Sequence, residues 1–362
     1  MKKIVTVLGA RPQFIKASVV SHAIIQLPEL VEVVVHTGQH YDANMSDVFF
    51  FEMGMRSPDY HFGIGGGMHG EMTGRMLGEI ERVLVNEKPD AVLVYGDTNS
   101  TLAGALASAK LHIPVAHVEA GLRSFNMRMP EEINRILTDR ISRWLFTPTE
   151  LAALNLRREG LPESQIIPVG DVMYDVALHY GSRVGQEEGL LPSLGLTSKN
   201  YMLATIHRAE NTDDPQRLAV IVNALIELSG TLPIVWPVHP RTRIVLDSNG
   251  LLEELGKMVK LIEPAGYLDM VQLEKCASLI VTDSGGVQKE AFFHRTPCVT
   301  LRDETEWVEL VQAGWNHLAP PVDVSTIVNA ALRMLGRTGA SIEPYGDGHA
   351  AKKIVEALAR NI

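Results

Sequence analysis

Short runs of apolar and β-branched residues alternate along the chain with stretches in which apolar residues recur at helical spacing. In the first half, the short runs are Ile4 to Leu8, Val31 to Val35, Ala91 to Tyr95 and Val115 to Glu119. Helical stretches follow, beginning near Pro12 and Ala43 and in "DTNSTLAGALASAKLH" and "PEEINRILTDRIS". This alternation is typical of parallel strands joined by crossover helices. It predicts an α/β fold with a doubly wound sheet, whose ligands bind at the carboxyl ends of the strands.

The same alternation begins again after a polar stretch, "GSRVGQEEGLLPSLGLTSKN". New strands are predicted at Tyr201 to Thr205, Pro233 to Pro237, Val259 to Ile262, Leu279 to Thr282 and Cys298 to Leu301. Because 362 residues are many for one core, we expect two Rossmann-like domains facing a cleft. We place the domains at residues 1–170 and 171–344. The helical segment within 345–362 could pack on either domain, and we assign it to the first.

Composition narrows the class of protein. A hydrophobic fraction of 46% and a charged fraction of 21% describe an ordinary globular chain. Its apolar runs are far shorter than the roughly 20 residues that cross a bilayer, and Arg11 interrupts the first run before a signal-peptide core is complete. We therefore expect no membrane partner and a cytoplasmic location. Cys276 and Cys298 fit buried thiols in a reducing compartment.

The net charge of −10 argues against a nucleic-acid surface, which requires basic patches. A small anionic ligand remains compatible with this charge if basic groups are concentrated locally.

The stretch "DSGGVQKEA" follows a predicted strand and begins a helix. Ser284, Gly285 and Gly286 would place backbone N–H groups and a hydroxyl at the helix N-terminus, where the dipole favours an anion. Glycine also lets phosphate oxygens approach the backbone closely. The alternative is an Asp or Ser cap with glycines that serve the turn. Glu290, one to two turns further, could reach a ribose hydroxyl.

Carboxylates follow several predicted strands. Asp97 comes after the run that ends at Tyr95, and Glu119 in "AHVEAGLRS" repeats this placement one strand later, while Glu131 begins the next helix. Asp97 could simply cap the following helix. Several acids at one sheet edge would raise one another's pKa and supply both an acid and a base. His207 occupies the matching strand end of the second domain and could transfer a proton near neutral pH.

Cations stand near the same strand ends. Arg11 and Lys16 in "GARPQFIK" lie close to the first strand-to-helix turn, as a diphosphate pocket requires, although either could be an ordinary surface charge. Arg241 in "PVHPRTR" also follows a predicted strand. Arg123 could hold nearby acids in place.

Two other patterns in the sequence do not predict a binding site. Gly65, Gly67 and Gly70 satisfy G-x-G-x-x-G, but "SPDYHF" before them is a poor buried strand, so we do not expect dinucleotide binding. Several histidines lack convincing metal-ligand spacing: His36, His40, His61, His69 and His117. We expect no metal.

With these residues assembled, the chain resembles the non-hydrolysing UDP-N-acetylglucosamine 2-epimerase family, which has the glycosyltransferase-B fold. The resemblance extends nearly from end to end, through "GARPQFIK", "TGQH", "YGDTNST", "HVEAGLRS", "PEEINR", "HRAEN", "PVHP", "DSGGVQKE" and "LRDETE". It implies an enzyme that inverts C2 of a UDP-linked N-acetylhexosamine without a redox cofactor. UDP would be eliminated across C1–C2 to give an enclosed 2-acetamidoglucal and then added back. The resemblance also implies a homodimer that supplies bacterial surface polysaccharide precursors.

The resemblance carries over to particular positions. The catalytic residues would be Asp97, Glu119, Glu131 and His207. Contacts to the UDP-sugar would come from Arg11, Lys16, Arg135, His239, Met270, Ser284, Gly285, Gly286 and Glu290. Which acid acts on which face of the sugar stays open.

Three departures bear on substrate and regulation. The segment "LRDETEWVELVQAGWN" resembles the branch that acts on UDP-2,3-diacetamido-2,3-dideoxyglucuronate, whereas the common branch reads more like "RDTTERPE". Both substrates therefore stay open. Met270 stands where many members have an aromatic residue, and its thioether could cover the uracil ring instead. Asp42 and Glu71 stand near the positions of polar and basic groups in substrate-regulated bacterial enzymes, which predicts weak or absent allosteric activation.

Three other functions are compatible with the sequence. A UDP-sugar glycosyltransferase of the same fold would have a similar UDP site. A hydrolysing 2-epimerase would release free N-acetylmannosamine. A UDP-sugar-binding module would not need the four catalytic residues together.

Overall fold

The computed structural model describes residues 1–39, 50, 53–185 and 189–362. The described chain forms two compact units, Met1–Val176 with Glu343–Ile362, and Ala177–Ile342. Each unit contains one parallel sheet, and helices alternate with the strands. The predicted α/β class is therefore confirmed. The predicted helix near Ala43, together with His40, Asp42 and part of the polar stretch, lies outside the described residues.

The first unit has seven parallel strands in the order β3-β2-β1-β4-β5-β6-β7. Their bounds are β1 Lys2–Leu8, β2 Leu30–His36, β3 Tyr60–His61, β4 Ala91–Tyr95, β5 Val115–Val118, β6 Trp144–Thr147 and β7 Ile166–Pro168. The strand order reverses between β1 and β4. Ligands of open α/β sheets bind at such a reversal, outside the carboxyl ends of the strands.

Within the described residues, the helices of the first unit follow its strands. They are Arg11–Ile25, His69–Glu87, Asn99–Lys110, Pro130–Ile141, Glu150–Arg158 and Ala350–Asn361, with a 3₁₀ turn at Glu163–Gln165 and a helix at Val172–Arg183 that continues into the second unit. Two of these helices, Arg11–Ile25 and Pro130–Ile141, have a proline in the first turn. Proline is favoured there because the backbone N–H groups of the first turn have no hydrogen-bond partner within the helix.

The C-terminal helix belongs to the first unit. It packs against the helix Arg11–Ile25, and Lys2 Nζ donates to the carbonyl of Ala359 at 2.7 Å. The buried carboxylate of Asp175 accepts the N–H groups of Ala350 and Ala351 at 3.0 and 2.8 Å. These contacts join the last residues of the chain to the first sheet.

The second unit has six parallel strands in the order β10-β9-β8-β11-β12-β13. Their bounds are β8 Met202–Thr205, β9 Ile234–Pro237, β10 Lys260–Ile262, β11 Leu279–Thr282, β12 Cys298–Thr300 and β13 Asn316–Leu318. Its helices are Leu190–Ser193, Ala209–Thr212, Pro215–Ser229, Pro240–Ser248, Leu252–Met258, Tyr267–Cys276, Gly285–Phe293, Val308–Gln312 and Val324–Met334.

Both cores are formed by strands that are covered on both faces. All residues of β4, and all residues of β11, are buried. This explains why the sequence shows continuous apolar runs rather than alternation there. Cys276 and Cys298 are free thiols and buried, as predicted. In the described ranges, no helix is long and apolar enough to cross a membrane.

Candidate active site

Four of the predicted site residues meet at the carboxyl ends of β1, β4 and β5, which are neighbours in the first sheet. They surround a small cavity of about 70 Å³. Its lining residues are Lys16, Gly96, Asp97, Glu119, Leu122 and Arg135. The sheet topology thus brings together two acids and two cations from separate parts of the sequence.

Lys16 and Glu119 form a buried ion pair in this cavity, with side-chain exposures of 15% and 9%. Burial acts to lower the pKa of the Lys16 ammonium, but the charge of Glu119 and the hydrogen bond to it outweigh burial, so the pKa is raised. Lys16 is therefore a stable cation in contact with the Glu119 carboxylate.

Asp97 forms the second pair of the cavity. Arg135 Nη2 donates to Asp97 Oδ2 at 2.6 Å. Burial raises the pKa of Asp97; Arg135 partly offsets this effect, and the charges of Glu119 and Glu131 add to it. A carboxyl group with a raised pKa is suited to exchanging a proton near neutral pH. The capping alternative for Asp97 is wrong, because Thr98 is the residue that caps the helix Asn99–Lys110.

The adjacent acids Glu131 and Glu132 differ in environment. Glu131 is exposed. Glu132 is only 1% exposed, and its carboxylate accepts the N–H groups of Ser124 and Phe125, each at 2.9 Å. Burial would raise the pKa of Glu132, but these donors outweigh burial and the pKa is lowered. Glu132 therefore holds the preceding loop, whereas Glu131 can reach a ligand.

Gln13 is a site residue to which sequence reasoning assigned no role. Its side-chain oxygen accepts the N–H groups of Gly9 and Ala10 at 2.8 and 3.0 Å. Its amide nitrogen donates to the carbonyl of Tyr95 at 2.8 Å and to Thr101 Oγ1 at 2.9 Å. Gln13 thus joins the ends of β1 and β4. In the sequence, the signal for this role was a glutamine placed beside apolar residues of this helix.

Predicted site residues of the second unit follow three neighbouring strands, β9, β8 and β11. His207 follows β8 and is half-exposed. The carboxylate of Asp283 is fully buried and accepts the N–H groups of His207 and Arg208 at 3.1 and 3.0 Å. Asn211 Nδ2 donates to the same carboxylate at 3.1 Å. Asp283 therefore fixes the turn that presents His207.

The helix Gly285–Phe293 begins directly after β11. Ser284 occupies its N-cap position, but the Ser284 hydroxyl makes no capping hydrogen bond to the described residues. Because the Asp283 carboxylate binds the His207 turn instead, the Asp-or-Ser capping alternative is wrong. A Cβ atom on Gly285 would lie 3.7 Å from Arg208 Nη2. Arg208 is thus a cation beside the helix start. Its position in "HRAEN" could have indicated this role, but the sequence analysis did not use it.

Two further residues of the second unit lie on helices close to this sheet. Glu290 is half-buried in the helix Gly285–Phe293. The pKa of the buried Glu274 is raised well above its usual range. Burial is the larger cause, and the charge of Glu290 is the smaller one. Met270 is half-buried and packs against an apolar cluster of this unit.

The remaining predicted cations and His239 have local roles in the structure. His239 is exposed, and its Nδ1 accepts the Arg241 N–H at 3.3 Å, which caps the helix Pro240–Ser248. Arg241 forms an ion pair with Asp213 at 2.7 Å. Arg11 is half-buried at the first position of the helix Arg11–Ile25.

The histidines form no metal site within the described ranges, where no group of three or more His, Cys, Asp or Glu side chains could hold an ion. Gly65 and Gly67 of "GIGGGMHG" precede the helix His69–Glu87 and Gly70 lies in its first turn, but β3 before them has only two residues.

The fold and these strand ends define a two-domain α/β enzyme of the glycosyltransferase-B type. A scan against family descriptions matches residues 22–359 to UDP-N-acetylglucosamine 2-epimerase. A relative from Pseudomonas aeruginosa, UDP-2,3-diacetamido-2,3-dideoxy-D-glucuronate 2-epimerase, is 56% identical over 99% of each chain. The solved structure of UDP-GlcNAc 2-epimerase from Methanocaldococcus jannaschii is 43% identical with a TM-score of 0.91, and both chains are fully covered.

A second structure of the Methanocaldococcus jannaschii enzyme, in complex with UDP-GlcNAc and UDP, is 44% identical with a TM-score of 0.83 and again full coverage of both chains. The chain belongs to the UDP-N-acetylglucosamine 2-epimerase family. It is an epimerase, and these relatives favour that activity over the glycosyltransferase alternative.

Proposed function

We propose that this protein inverts C2 of a UDP-N-acetylhexosamine by eliminating UDP and adding it back. The observation that carries the proposal is the small cavity in which Asp97 and Glu119 are paired with Arg135 and Lys16. A base removes the C2 proton, the C1–O bond breaks, and its electron pair leaves with UDP. A proton then reaches C2 from the opposite face while a UDP oxygen forms the new bond at C1.

The chemistry explains why acids and an anion site are both needed. A C2 hydrogen with no adjacent carbonyl is only weakly acidic, so its removal must be coupled to departure of a stabilised diphosphate. The 2-acetamidoglucal formed in between must also be kept from water. Paired carboxylates can move the proton, and a helix N-terminus can stabilise the diphosphate.

We assign proton transfer to Asp97, Glu119, Glu131 and His207. The raised pKa of Asp97 supports its role, because this carboxyl group retains its proton to a higher pH than an ordinary aspartate. The contact with Lys16 supports the role of Glu119, because it holds the carboxylate in the cavity that Asp97 also lines.

We assign UDP binding to the second domain. Ser284, Gly285 and Gly286 would receive the diphosphate, with Arg208 as an additional cation. The other proposed contacts are Glu290 to the ribose, Met270 to the uracil ring, and Arg11, Lys16, Arg135 and His239 around the diphosphate and sugar. In this assignment residues 1–170 with 345–362 supply the carboxylates, and residues 171–344 hold the nucleotide.

Two substrates are proposed. UDP-2,3-diacetamido-2,3-dideoxyglucuronate is the first candidate, because the relative named for it is 56% identical and "LRDETEWVEL" resembles that branch. UDP-GlcNAc is the second, because the archaeal relative that is 44% identical was solved in complex with it.

Proton NMR in D2O tests the function and the substrate together. Each candidate UDP-sugar is incubated with the enzyme, and we expect deuterium at C2 with the nucleotide still attached. Release of free sugar would indicate a hydrolysing epimerase, and transfer to an added acceptor would indicate a glycosyltransferase. Binding of UDP without exchange for any candidate would contradict the proposal and favour a binding module.

We also propose that the enzyme is a cytoplasmic homodimer that supplies precursors of bacterial surface polysaccharides, as the family resemblance implies. Light scattering on the purified protein should give twice the chain mass of 39.8 kDa. A mass of one chain at assay concentration would contradict the dimer.

A further inference from the structure

A buried charged network lies directly behind the strand ends that carry Asp97 and Glu119. His117 on β5 and Asp139 on the helix Pro130–Ile141 are both fully buried, and Arg123 is 1% exposed. None of these three belongs to the proposed catalytic set. Their position next to both proposed acids raises the question of what the network does for the reaction.

The two ring nitrogens of His117 connect the end of a strand to a helix. His117 Nε2 lies 2.7 Å from the carbonyl oxygen of Gly96, and Nδ1 lies 2.7 Å from Asp139 Oδ1. A carbonyl oxygen can only accept a hydrogen bond, so Nε2 donates to Gly96. His117 therefore holds the residue that follows β4 through one nitrogen and contacts the helix Pro130–Ile141 through the other.

Asp139 has two further partners. Besides His117, it contacts Arg123 Nη1 at 2.8 Å and accepts the N–H of Gly121 at 3.2 Å. Asp139 therefore links His117 to the turn that contains Gly121.

Arg123 extends the network to a second carboxylate. It donates to both carboxylate oxygens of Glu159, at 2.7 and 2.8 Å. Removal of one partner from a buried set of paired groups leaves the others unsatisfied, which is costly at low dielectric.

The network fixes the turn that presents Asp97. Gly96 directly precedes Asp97 and has a φ of +62°, in the left-handed region. The Gly96 carbonyl is held by His117, and the Gly96 N–H donates to the carbonyl of Val118 at 3.0 Å. Both hydrogen-bonding groups of Gly96 are therefore bound to β5.

The same network holds the backbone around Glu119. Glu119 has a φ of +69°, a strained conformation for a residue other than glycine. The next two N–H groups are fixed: that of Ala120 by the carbonyl of Phe146 at 3.1 Å, and that of Gly121 by Asp139 at 3.2 Å. A side chain on Gly121 would clash with the Ala152 carbonyl at 2.3 Å, so this turn has little freedom to relax.

We propose that His117 is a positioning residue that, with Asp139, sets the geometry of Asp97 and Glu119 for proton transfer. This inference rests on the proposed function, in which those two carboxylates act on the sugar. A displacement of about 1 Å at a reacting group can reduce the rate about 100-fold. The network therefore governs turnover without touching the substrate.

Variants of His117 separate this role from a general loss of folding. His117→Leu removes both ring nitrogens, whereas His117→Gln keeps an amide N–H that can donate to the Gly96 carbonyl. The matched control is Thr6→Val, which breaks a buried hydrogen bond to Glu32 in the same sheet but away from the acids.

We expect His117→Leu to reduce kcat about 100-fold with little change in KM, and His117→Gln to recover at least about tenfold of that loss. Thr6→Val should keep the wild-type kcat even though it lowers the melting temperature. Wild-type kcat in His117→Leu, a loss confined to KM, or no recovery in His117→Gln would overturn the proposal.

Deuterium exchange by the wild type and the kinetics of the variants distinguish the failure of this inference from failure of the proposed function. If the wild type exchanges deuterium into C2 but His117→Leu keeps the wild-type kcat, only the inference fails. If no UDP-sugar exchanges deuterium, the proposed function fails, and the inference about catalytic positioning fails with it.

Discussion

The carboxyl edges of the two sheets are built from different chemical groups. In the first unit, side-chain charges dominate, and two acids are paired with cations, Glu119 with Lys16 and Asp97 with Arg135. In the second unit, the buried Asp283 binds backbone N–H groups, and the helix Gly285–Phe293 begins without a capping bond from Ser284. The carboxylates to which we assign proton transfer thus belong to the first unit, whereas His207 and the groups suited to holding an anion belong to the second.

The difference has a physical reason. A carboxyl group that exchanges protons needs partial burial and neighbouring charges, because these shift its pKa. A site that only holds a diphosphate gains from backbone dipoles, which carry no titratable proton. Changes to the carboxylates of the first edge should therefore alter turnover, and changes to the helix start of the second edge should alter affinity.

The largest effect is expected from Glu119→Gln, which keeps the shape of the side chain and removes its charge. We expect kcat to fall about 10²- to 10⁴-fold, the usual contribution of a general acid or base. Titration calorimetry should give an unchanged dissociation constant for UDP. Glu150→Gln, at an exposed carboxylate of the same unit, is the control and should keep the wild-type kcat. A native rate in Glu119→Gln would show that this role is wrong.

A smaller effect, on affinity, is expected from Gly286→Asp. Gly286 is exposed, and a Cβ atom there would approach only Ser284 Oγ, at 3.9 Å, so the fold should tolerate a side chain. A carboxylate at this helix start repels a diphosphate, and we expect UDP to bind at least about tenfold more weakly, or about 1.4 kcal/mol. Gly286→Ala adds a methyl group without charge and should bind UDP within about twofold of the wild type. Equal loss in both variants would point to crowding instead.

A shift in pH dependence is expected from Arg135→Met. The positive charge of Arg135 lowers the pKa of Asp97 against the effect of burial, so its removal should raise that pKa further. The limb of the pH profile of kcat/KM that disappears in Asp97→Asn should then move to higher pH. Arg140→Met, an exposed position on the same helix, should leave the limb in place. Movement to lower pH would contradict the proposed pairing.

The smallest effect on turnover is expected from Asp175→Asn, which tests stability instead. Burial raises the pKa of Asp175 to about 6, from 3.8. Between pH 4 and 6 the folded state therefore binds more protons than the unfolded state, and this residue's contribution to stability falls as pH rises. The contribution of Asp175 to the free energy of unfolding decreases by about 3 kcal/mol at most, because one pKa unit corresponds to about 1.4 kcal/mol.

Denaturant unfolding at several pH values checks this expectation. The stability of the wild type minus that of Asp175→Asn should decrease as pH rises from about 4 to 7. A constant difference would contradict the raised pKa. The kcat of Asp175→Asn at neutral pH should equal that of the wild type.

Much of the fold follows from local sequence. The predicted runs Ala91 to Tyr95 and Leu279 to Thr282 coincide with β4 and β11, because strands buried on both faces consist of continuous apolar residues. The edge strands β3 and β13 were not predicted. They contain two and three residues, too few to show a period, and pairing with a neighbouring strand defines them.

The sequence predicted residues that form the candidate site, but not which of them contact one another. Asp97 and Glu119 follow strands, and parallel topology places such residues at one edge. That Arg135 contacts Asp97, or that Glu132 is buried while Glu131 is exposed, depends on how a distant helix packs against the sheet. His117 was considered only as a metal ligand, since its two acceptors lie on other elements of the fold.

The most direct test of the separation between the two edges is C2 deuterium incorporation at saturating substrate in D2O, measured for Glu119→Gln and Gly286→Asp against the wild type. We expect Gly286→Asp to recover the wild-type rate at saturation, because only its affinity is impaired, and Glu119→Gln to stay slow at every concentration. Recovery of exchange in Glu119→Gln at saturation, or its persistent loss in Gly286→Asp, would contradict the assignment of proton transfer by carboxylates to the first unit and of anion binding to the helix start of the second.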